Sequence, residues 1–354
     1  MESNKNKDYI LYLDLLNIAA CIAVVILHIN NAVHTFSYKR YWLTSMVLEA
    51  GFYWAVPIFL MLTGATLLDY RKRYDTQTFL KRRLSKVVPP YIIWSLVAIV
   101  WRIVYLHRGT FQDVNSLGKI IDNIANNKSM SIYWFFPVII SIYFCIPVLT
   151  AIPEEMRLGK KGIYTYMILC ALVTVSTLPL VAQLLGIQWN SGFQITVAGG
   201  YLIFPLLGYS LAHTELSKVQ RKIVYLLGIF GWIMYYVGTV VLSYQQGKFS
   251  SVFKGYIRLP GVLMGIAVFV FFQYHCWDFI KRNQVFVRII KIVSGASFGV
   301  YLIHHFFLEF FVQYFAINIQ LWQWRVFGVF LIYPVSLITV LLIKKIPLLK
   351  KIVP

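Results

Sequence analysis

Ten runs of apolar residues, each about as long as a helix that crosses a bilayer, dominate this chain. A segment of roughly 20 apolar residues spans the hydrocarbon core, and backbone groups in lipid must pair within their own segment, so such runs form helices. Only 13% of the residues are charged, which is well below the usual share in a soluble domain. The sequence therefore predicts an all-α, polytopic membrane helix bundle with about ten transmembrane helices, at 10–31, 46–68, 87–106, 132–152, 163–182, 195–213, 223–243, 258–275, 292–315 and 325–344.

The basic residues between these runs indicate the orientation of the helices. Most of the 33 Lys and Arg residues fall in alternate connections, on the side that also holds both ends of the chain. Because cytoplasmic connections are enriched in Lys and Arg, both termini are predicted to be cytoplasmic. This topology explains the formal charge of +20, so no nucleic-acid partner is expected. We expect residues 1–354 to form a single integral membrane domain.

The first apolar segment, Tyr9 to Asn31, contains polar residues that favour a functional role. Asn17 and His28 are separated by about three helical turns, so their side chains lie on one face, roughly 16 Å apart along the axis, and Asp14 belongs to the same polar stripe. An ionisable residue inside such a helix is costly unless it faces a cavity or a partner. His28 is therefore the first catalytic candidate. A structural histidine, satisfied by a neighbouring helix or placed at the outer interface, explains the segment equally well.

A strongly basic stretch follows the second apolar run. That run ends near Thr63 and Gly64, small residues that allow another helix or a ligand to approach closely. Arg82, Arg83 and Lys86 then follow at helical spacing, just before the third run and on the predicted cytoplasmic side. Arginine forks suit phosphate oxygens, so the placement favours a site for a phosphorylated cofactor. Anionic lipid headgroups would use the same charges.

Polar residues also interrupt the ninth run. Tyr301 and His304 are three positions apart, and His305 and Glu309 are four apart, so each pair shares a helix face. A buried histidine beside a carboxylate can be held in one tautomer. A polar seam between helices would produce the same pattern. Adjacent histidines on a helix cannot readily face one ion, and no third ligand is evident, so no metal is expected.

Several short motifs occur in order along these runs. They are the Leu13–Leu16 segment with His28, the Val56–Gly64 segment, the basic stretch ending in Pro89, Pro90 and Tyr91, the Trp134–Phe136 segment with Tyr143 and Pro147, and the Ser297–His304 segment. In this combination the chain resembles the acyltransferase 3 family of integral membrane acyltransferases, in particular its O-acetyltransferases of bacterial surface polysaccharides. The resemblance covers nearly the whole length.

The resemblance implies a membrane O-acyltransferase that moves acetyl from acetyl-CoA to a hydroxyl of a cell-surface polysaccharide or lipid-linked glycan precursor. It implies a multi-pass protein of the bacterial plasma membrane whose partners are acyl-CoA, the glycan acceptor, the bilayer and, as an open possibility, further copies of the chain. In this scheme the CoA phosphates bind to the basic stretch and the pantetheine arm passes between helices. His28 acts as the general base on a sugar hydroxyl.

The site residues follow from the same scheme. The catalytic residues are expected to be His28 and Asp14, and the donor-binding residues Asn17, Arg82, Arg83 and Lys86. The acceptor-binding residues are expected to be Trp134, Tyr301, His304, His305 and Glu309.

Three positions depart from the family pattern. Asn17 stands where the family usually has an arginine, and Ile132 stands where a histidine is common. Lys86 replaces an arginine, which keeps the charge but loses the bidentate fork. Two other functions are therefore retained as alternatives. The first is a transporter or permease for a small polar solute or lipid-linked sugar, with His28 as a gate or proton site, and the second is a membrane scaffold.

Overall fold

The computed structural model describes residues 11–354 apart from Gln194, Thr196 and Ala198. The predicted first run begins at residue 10 and so starts just outside the described residues. Within them the chain is helical and has no strand, which confirms the predicted all-α membrane bundle. The helices are α1 Leu11–Ile29, α2 Arg40–Phe52, α3 Ala55–Leu67, α4 Thr76–Val104, α5 Leu117–Ala125, α6 Phe135–Leu149, α7 Ile163–Ala171, α8 Leu178–Leu184, α9 Ile203–Ala212, α10 Lys218–Gln246, α11 Leu259–Tyr274, α12 Asp278–Lys281, α13 Gln284–Tyr314, α14 Trp322–Phe327 and α15 Val329–Lys345.

Eight helical segments of the described chain are long and apolar enough to cross a membrane: Leu11–Ile29, Arg40–Lys72, Thr76–Val104, Ser131–Leu149, Ile163–Leu184, Lys218–Gln246, Gln284–Tyr314 and Trp322–Lys345. Two shorter apolar segments, Gly200–Ala212 and Leu259–Tyr274, match the predicted runs 195–213 and 258–275. The total of ten spans and the cytoplasmic location of both termini stay predictions.

Three segments start six or more residues earlier than the sequence predicted, and the ninth is one of them, at Gln284 instead of residue 292. The second segment starts at Arg40 instead of residue 46, and it is interrupted between Phe52 and Ala55. Pro57 explains the interruption, because a proline ring clashes with the carbonyl four residues earlier, here that of Tyr53. The third segment starts at Thr76 instead of residue 87.

The early start of α4 has a simple local cause. The carboxylate of Asp75 caps the helix by accepting a 2.7 Å hydrogen bond from the backbone N–H of Thr78. Such a cap satisfies one of the otherwise unpaired N–H groups of the first turn. Arg82, Arg83 and Lys86 consequently lie on the helix itself and not in the connection before it.

The chain divides into two compact units. Unit 1 comprises Met1–Ala65 and Ile168–Leu337, and unit 2 comprises Thr66–Met167 and Ile338–Pro354. In unit 1, α1 packs against α13, and α10 packs against α11. In unit 2, α4 packs against α6, where the rings of Tyr91 and Phe136 stack 4.6 Å apart. The single domain remains a prediction.

The contact between α3 and α9 requires glycine on both helices. A Cβ atom built at Gly64 would lie 1.9 Å from the carbonyl oxygen of Pro205, and one at Gly208 would lie 1.9 Å from that of Met61. Neither backbone oxygen can move without displacing its helix. The small residue at the end of the second run therefore does admit another helix, as the sequence suggested.

We expect Gly64→Ala and Gly208→Ala each to destabilise the protein by about 3 kcal/mol, since added methyl groups in a tight contact force the backbone apart. Thermal unfolding in detergent micelles measures the loss. Gly51→Ala is the matched control, because a Cβ there meets nothing within 4 Å. Equal unfolding temperatures for the three variants would contradict the close packing.

Candidate active site

Three histidine side chains from α1 and α13 meet within unit 1. The ring centroid of His28 lies 5.2 Å from that of His304 and 5.7 Å from that of His305, which it meets edge to face. The rings of His304 and His305 are 6.2 Å apart. Helix α1 thus delivers His28 on its last turn to the two adjacent histidines of α13. We call His28, His304 and His305 the histidine cluster.

The hydrogen bonds of His304 determine its tautomer. Its Nδ1 atom lies 2.8 Å from the carbonyl oxygen of Tyr301 and 3.1 Å from that of Val300. Carbonyl oxygens only accept, so Nδ1 carries the proton and donates. In the neutral ring the Nε2 atom then holds a lone pair, and this buried atom makes no hydrogen bond to a described residue. His304 therefore offers an acceptor nitrogen inside the protein.

His305 is accompanied by a carboxylate on its own helix. The Nε2 atom of His305 lies 3.6 Å from Oε1 of Glu309, one turn further along α13. Both side chains are about one-fifth exposed. The predicted pairing at four-residue spacing is thus present, and the carboxylate can accept from or stabilise a protonated His305.

A second polar group lies at the other end of α1. The hydroxyl of Ser294 donates a 2.6 Å hydrogen bond to Oδ1 of Asp14. The side-chain amide of Asn17 donates to the hydroxyl and the carbonyl oxygen of Ser294, at 2.9 and 3.0 Å. Between the two ends, Cys21 contacts the carbonyl oxygen of Ser297 at 3.5 Å. Polar contacts thus connect α1 and α13 along their length.

The structure separates the two residues assigned to catalysis. Helix α1 is continuous, and a rise of about 1.5 Å per residue places Asp14 about 21 Å from His28 along the axis. Asp14 thus lies in a different part of the helix from His28, and its catalytic role stays a prediction. Its carboxylate belongs to the group formed with Asn17 and Ser294.

The predicted phosphate-binding residues line a cavity of about 520 Å³ in unit 2. Arg82, Arg83 and Lys86 contribute to it, together with Arg73 and Tyr74. The guanidinium of Arg82 lies 4.9 Å from the ring centroid of Tyr74. The Nε atom of Arg83 is buried and makes no hydrogen bond with the described part of the chain. The three residues at helical spacing are thus brought together around one space.

Trp134 belongs to unit 2, whereas the histidine cluster belongs to unit 1. It ends the short helical turn Ser131–Trp134 that leads into α6. Its half-buried ring meets that of Phe135 edge to face at 6.2 Å. Tyr301, by contrast, lies in unit 1, with its ring 6.1 Å from that of His304.

Sequence reasoning missed a further group of ionisable residues in unit 1. Glu49 on α2 pairs with Lys254, and Lys254 contacts His34. The usable signal was Glu49, an acidic residue inside the second apolar run, because carboxylates in membrane helices are rare and usually functional. The distant partners gave no signal, because they lie in connections that are expected to be polar.

A family model described as an acyltransferase domain matches residues 10–342, which is nearly the whole chain. The chain belongs to the acyltransferase 3 family. The protein is therefore a membrane-embedded, multi-pass acyltransferase, and the transporter alternative is not favoured. Searches of curated proteins and of solved structures gave no match.

The interhelical hydrogen bonds of Ser294 can be tested directly. We expect Ser294→Ala to lower the free energy of unfolding by about 1–2 kcal/mol, because Asp14 and Asn17 lose the hydroxyl that they share, in a largely apolar setting, and Asn17 keeps only the backbone carbonyl. Thermal unfolding in lipid nanodiscs measures the effect. Ser336→Ala is the control, since the buried Ser336 hydroxyl bonds only within its own helix, to the carbonyl of Ile332. A larger effect in the control would contradict this role for Ser294.

Proposed function

We propose that this acyltransferase transfers acetyl from acetyl-CoA to a hydroxyl of a cell-surface polysaccharide or a lipid-linked glycan precursor, in a bacterial plasma membrane. The observation that carries the proposal is the histidine cluster, in which His28 lies 5.2 Å from His304 and 5.7 Å from His305. Acyl transfer to a hydroxyl needs a base that removes a proton near neutral pH, and histidine is the side chain suited to that role. Membership of the family supports the reaction class.

In the proposed reaction His28 removes the proton of the acceptor hydroxyl as its oxygen attacks the thioester carbonyl. A new C–O bond forms, the C–S bond breaks, and the CoA thiolate takes up the proton. The acceptor nitrogen of His304 would stabilise a His28 tautomer that turns its N–H toward it during the reaction, which would leave the other ring nitrogen of His28 as the base. Glu309 supports the neighbouring His305.

Donor binding is proposed for the residues that the sequence selected. Arg82, Arg83 and Lys86 supply cationic groups for phosphate oxygens, and their common cavity supports this role. Asn17 lies on α1 about 16 Å before His28. Its side-chain nitrogen donates to Ser294, so the group proposed to bind the donor arm is its Oδ1 atom, which accepts from an amide N–H of that arm. Tyr301 and Trp134 are proposed as acceptor contacts. The proposal includes no metal and no nucleic acid, and self-association stays a prediction.

We expect His28→Ala to reduce acetyl transfer at least about 100-fold, because general-base catalysis contributes roughly 10²–10⁴. Release of CoA from acetyl-CoA by purified protein in nanodiscs, with a polysaccharide fraction from bacterial envelopes as acceptor, measures the rate. His275→Ala is the control, since His275 is an exposed histidine following α11 in the same unit. Equal activity of the two variants would exclude His28 as the base.

The phosphate site makes a separate prediction. We expect Arg82→Ala/Arg83→Ala to raise the KM for acetyl-CoA about tenfold or more, because two charge-assisted hydrogen bonds to phosphate are lost. The KM is measured at two salt concentrations, and the wild type should lose more affinity at high salt than the variant. Lys81→Ala is the control, an exposed lysine of the same helix that does not line the cavity. An unchanged KM in the double variant would place the donor phosphates elsewhere.

A further inference from the structure

Glu49 is a carboxylate buried inside a membrane-length segment. It lies on α2, and only 3% of its surface is exposed. An acidic side chain in such a place requires a partner, and its default interpretation is a functional one. The partner is Lys254, whose Nζ atom lies 3.6 Å from Oε1 of Glu49. Lys254 comes from the connection between α10 and α11, so an element outside the membrane helices reaches a buried acid.

Lys254 also contacts the segment that follows the catalytic helix. Its Nζ atom lies 3.0 Å from Nδ1 of His34. An ammonium group can only donate, so His34 accepts at Nδ1 and is neutral. Partial burial and the charge of Lys254 lower the pKa of His34 to about 4, which agrees with a neutral ring. Because the Lys254 side chain is 28% exposed, the amine can be reached from the surface while the carboxylate below it is enclosed.

Three tyrosines that contact one another lie near the carboxylate. Tyr53 stacks on Tyr256 at 4.5 Å and lies 4.7 Å from Tyr235, and all three are within electrostatic range of Glu49. The hydroxyl of Tyr235 is buried and makes no hydrogen bond to any residue that the structure describes. Leaving such a group unsatisfied costs free energy that a bound polar molecule would recover.

This group lies next to the histidine cluster. His34 follows His28 by six positions, through the short helix Asn31–His34. His34 and Lys254 both lie within electrostatic range of His28. They are at the end of α1 that the charge distribution predicts to be extracytoplasmic, which is the side where a surface glycan would arrive.

We propose that Glu49, Lys254 and the three tyrosines form the acceptor subsite, and that it binds a hydroxyl-rich group such as a sugar unit. A carboxylate accepts hydrogen bonds from sugar hydroxyls, and an ammonium donates to their oxygens. Aromatic faces pack against the C–H surface of the ring. This inference rests on the proposed function and adds to it the residues that select the acceptor, which are distinct from Tyr301 and Trp134.

A kinetic test distinguishes weaker binding of the acceptor from weaker binding of the donor. The assay compares wild type with Glu49→Gln and Lys254→Gln in nanodiscs. The concentrations of acetyl-CoA and of the envelope polysaccharide fraction are varied one at a time. Both variants should need about tenfold more polysaccharide for half-maximal rate, whereas the KM for acetyl-CoA should change far less. Lys248→Gln and Glu215→Gln, exposed residues of the same unit, are the controls and should match the wild type. Equal changes in the two KM values would overturn the proposal.

An exchange of the two charges distinguishes a role of the Glu49–Lys254 pair in acceptor binding from a purely structural role. The double variant Glu49→Lys/Lys254→Glu retains an opposite-charge pair but moves the carboxylate to the exposed position. If the pair only holds the connection in place, the exchange should restore both the unfolding temperature and the acceptor requirement of the wild type, and this result would overturn the proposal. The proposed subsite predicts that the acceptor requirement stays raised even where the unfolding temperature recovers.

A binding measurement tests the acceptor subsite independently of acetyl transfer. The polysaccharide fraction should raise the unfolding temperature of wild type in nanodiscs and leave that of Glu49→Gln unchanged. Such a shift without acetyl transfer would reject the proposed reaction and retain the subsite. Acetyl transfer with the same polysaccharide requirement in wild type and both single variants would retain the reaction and reject the subsite.

Discussion

The free-energy cost of a polar side chain in an apolar environment governs the interior of this protein. The acid and the histidine that α1 carries into the bundle both meet partners on α13, Asp14 through Ser294 and His28 through His304 and His305. Without those partners the same side chains would oppose insertion of the helix. The packing of α1 on α13 therefore stabilises the fold and assembles the histidine cluster in one step.

In the proposed reaction, the histidine cluster carries out the transfer step and the residues around Glu49 bind the acceptor. The histidine cluster lies on membrane-length helices, and backbone carbonyls set the proton position of one member, His304. The group around Glu49 is closed by Lys254, which comes from a connecting segment. The proposed base on packed helices, beside a proposed site that a connection partly forms, suits an enzyme in which the transfer step is constant and the acceptor is selected separately.

Much of the architecture could be predicted from the sequence because long apolar runs in lipid can only be helices. The pairs within α13 were also predictable, since His305 and Glu309 stand one turn apart whatever packs around them. The ends of the helices were harder to predict. The start of α4 depends on the cap at Asp75, and the interruption near Tyr53 depends on Pro57. A prediction from hydropathy follows the apolar residues around these positions and misses both signals.

The sequence by itself determined the family, the helical membrane fold and the face of each helix that carries polar residues, because these depend on composition and local periodicity. Only the tertiary structure decided which faces meet. It joined Asp14 to Ser294, 280 positions away, and Glu49 to Lys254. The physical reason is that helical spacing specifies direction around one axis, whereas the partner of a polar side chain depends on how separate helices pack.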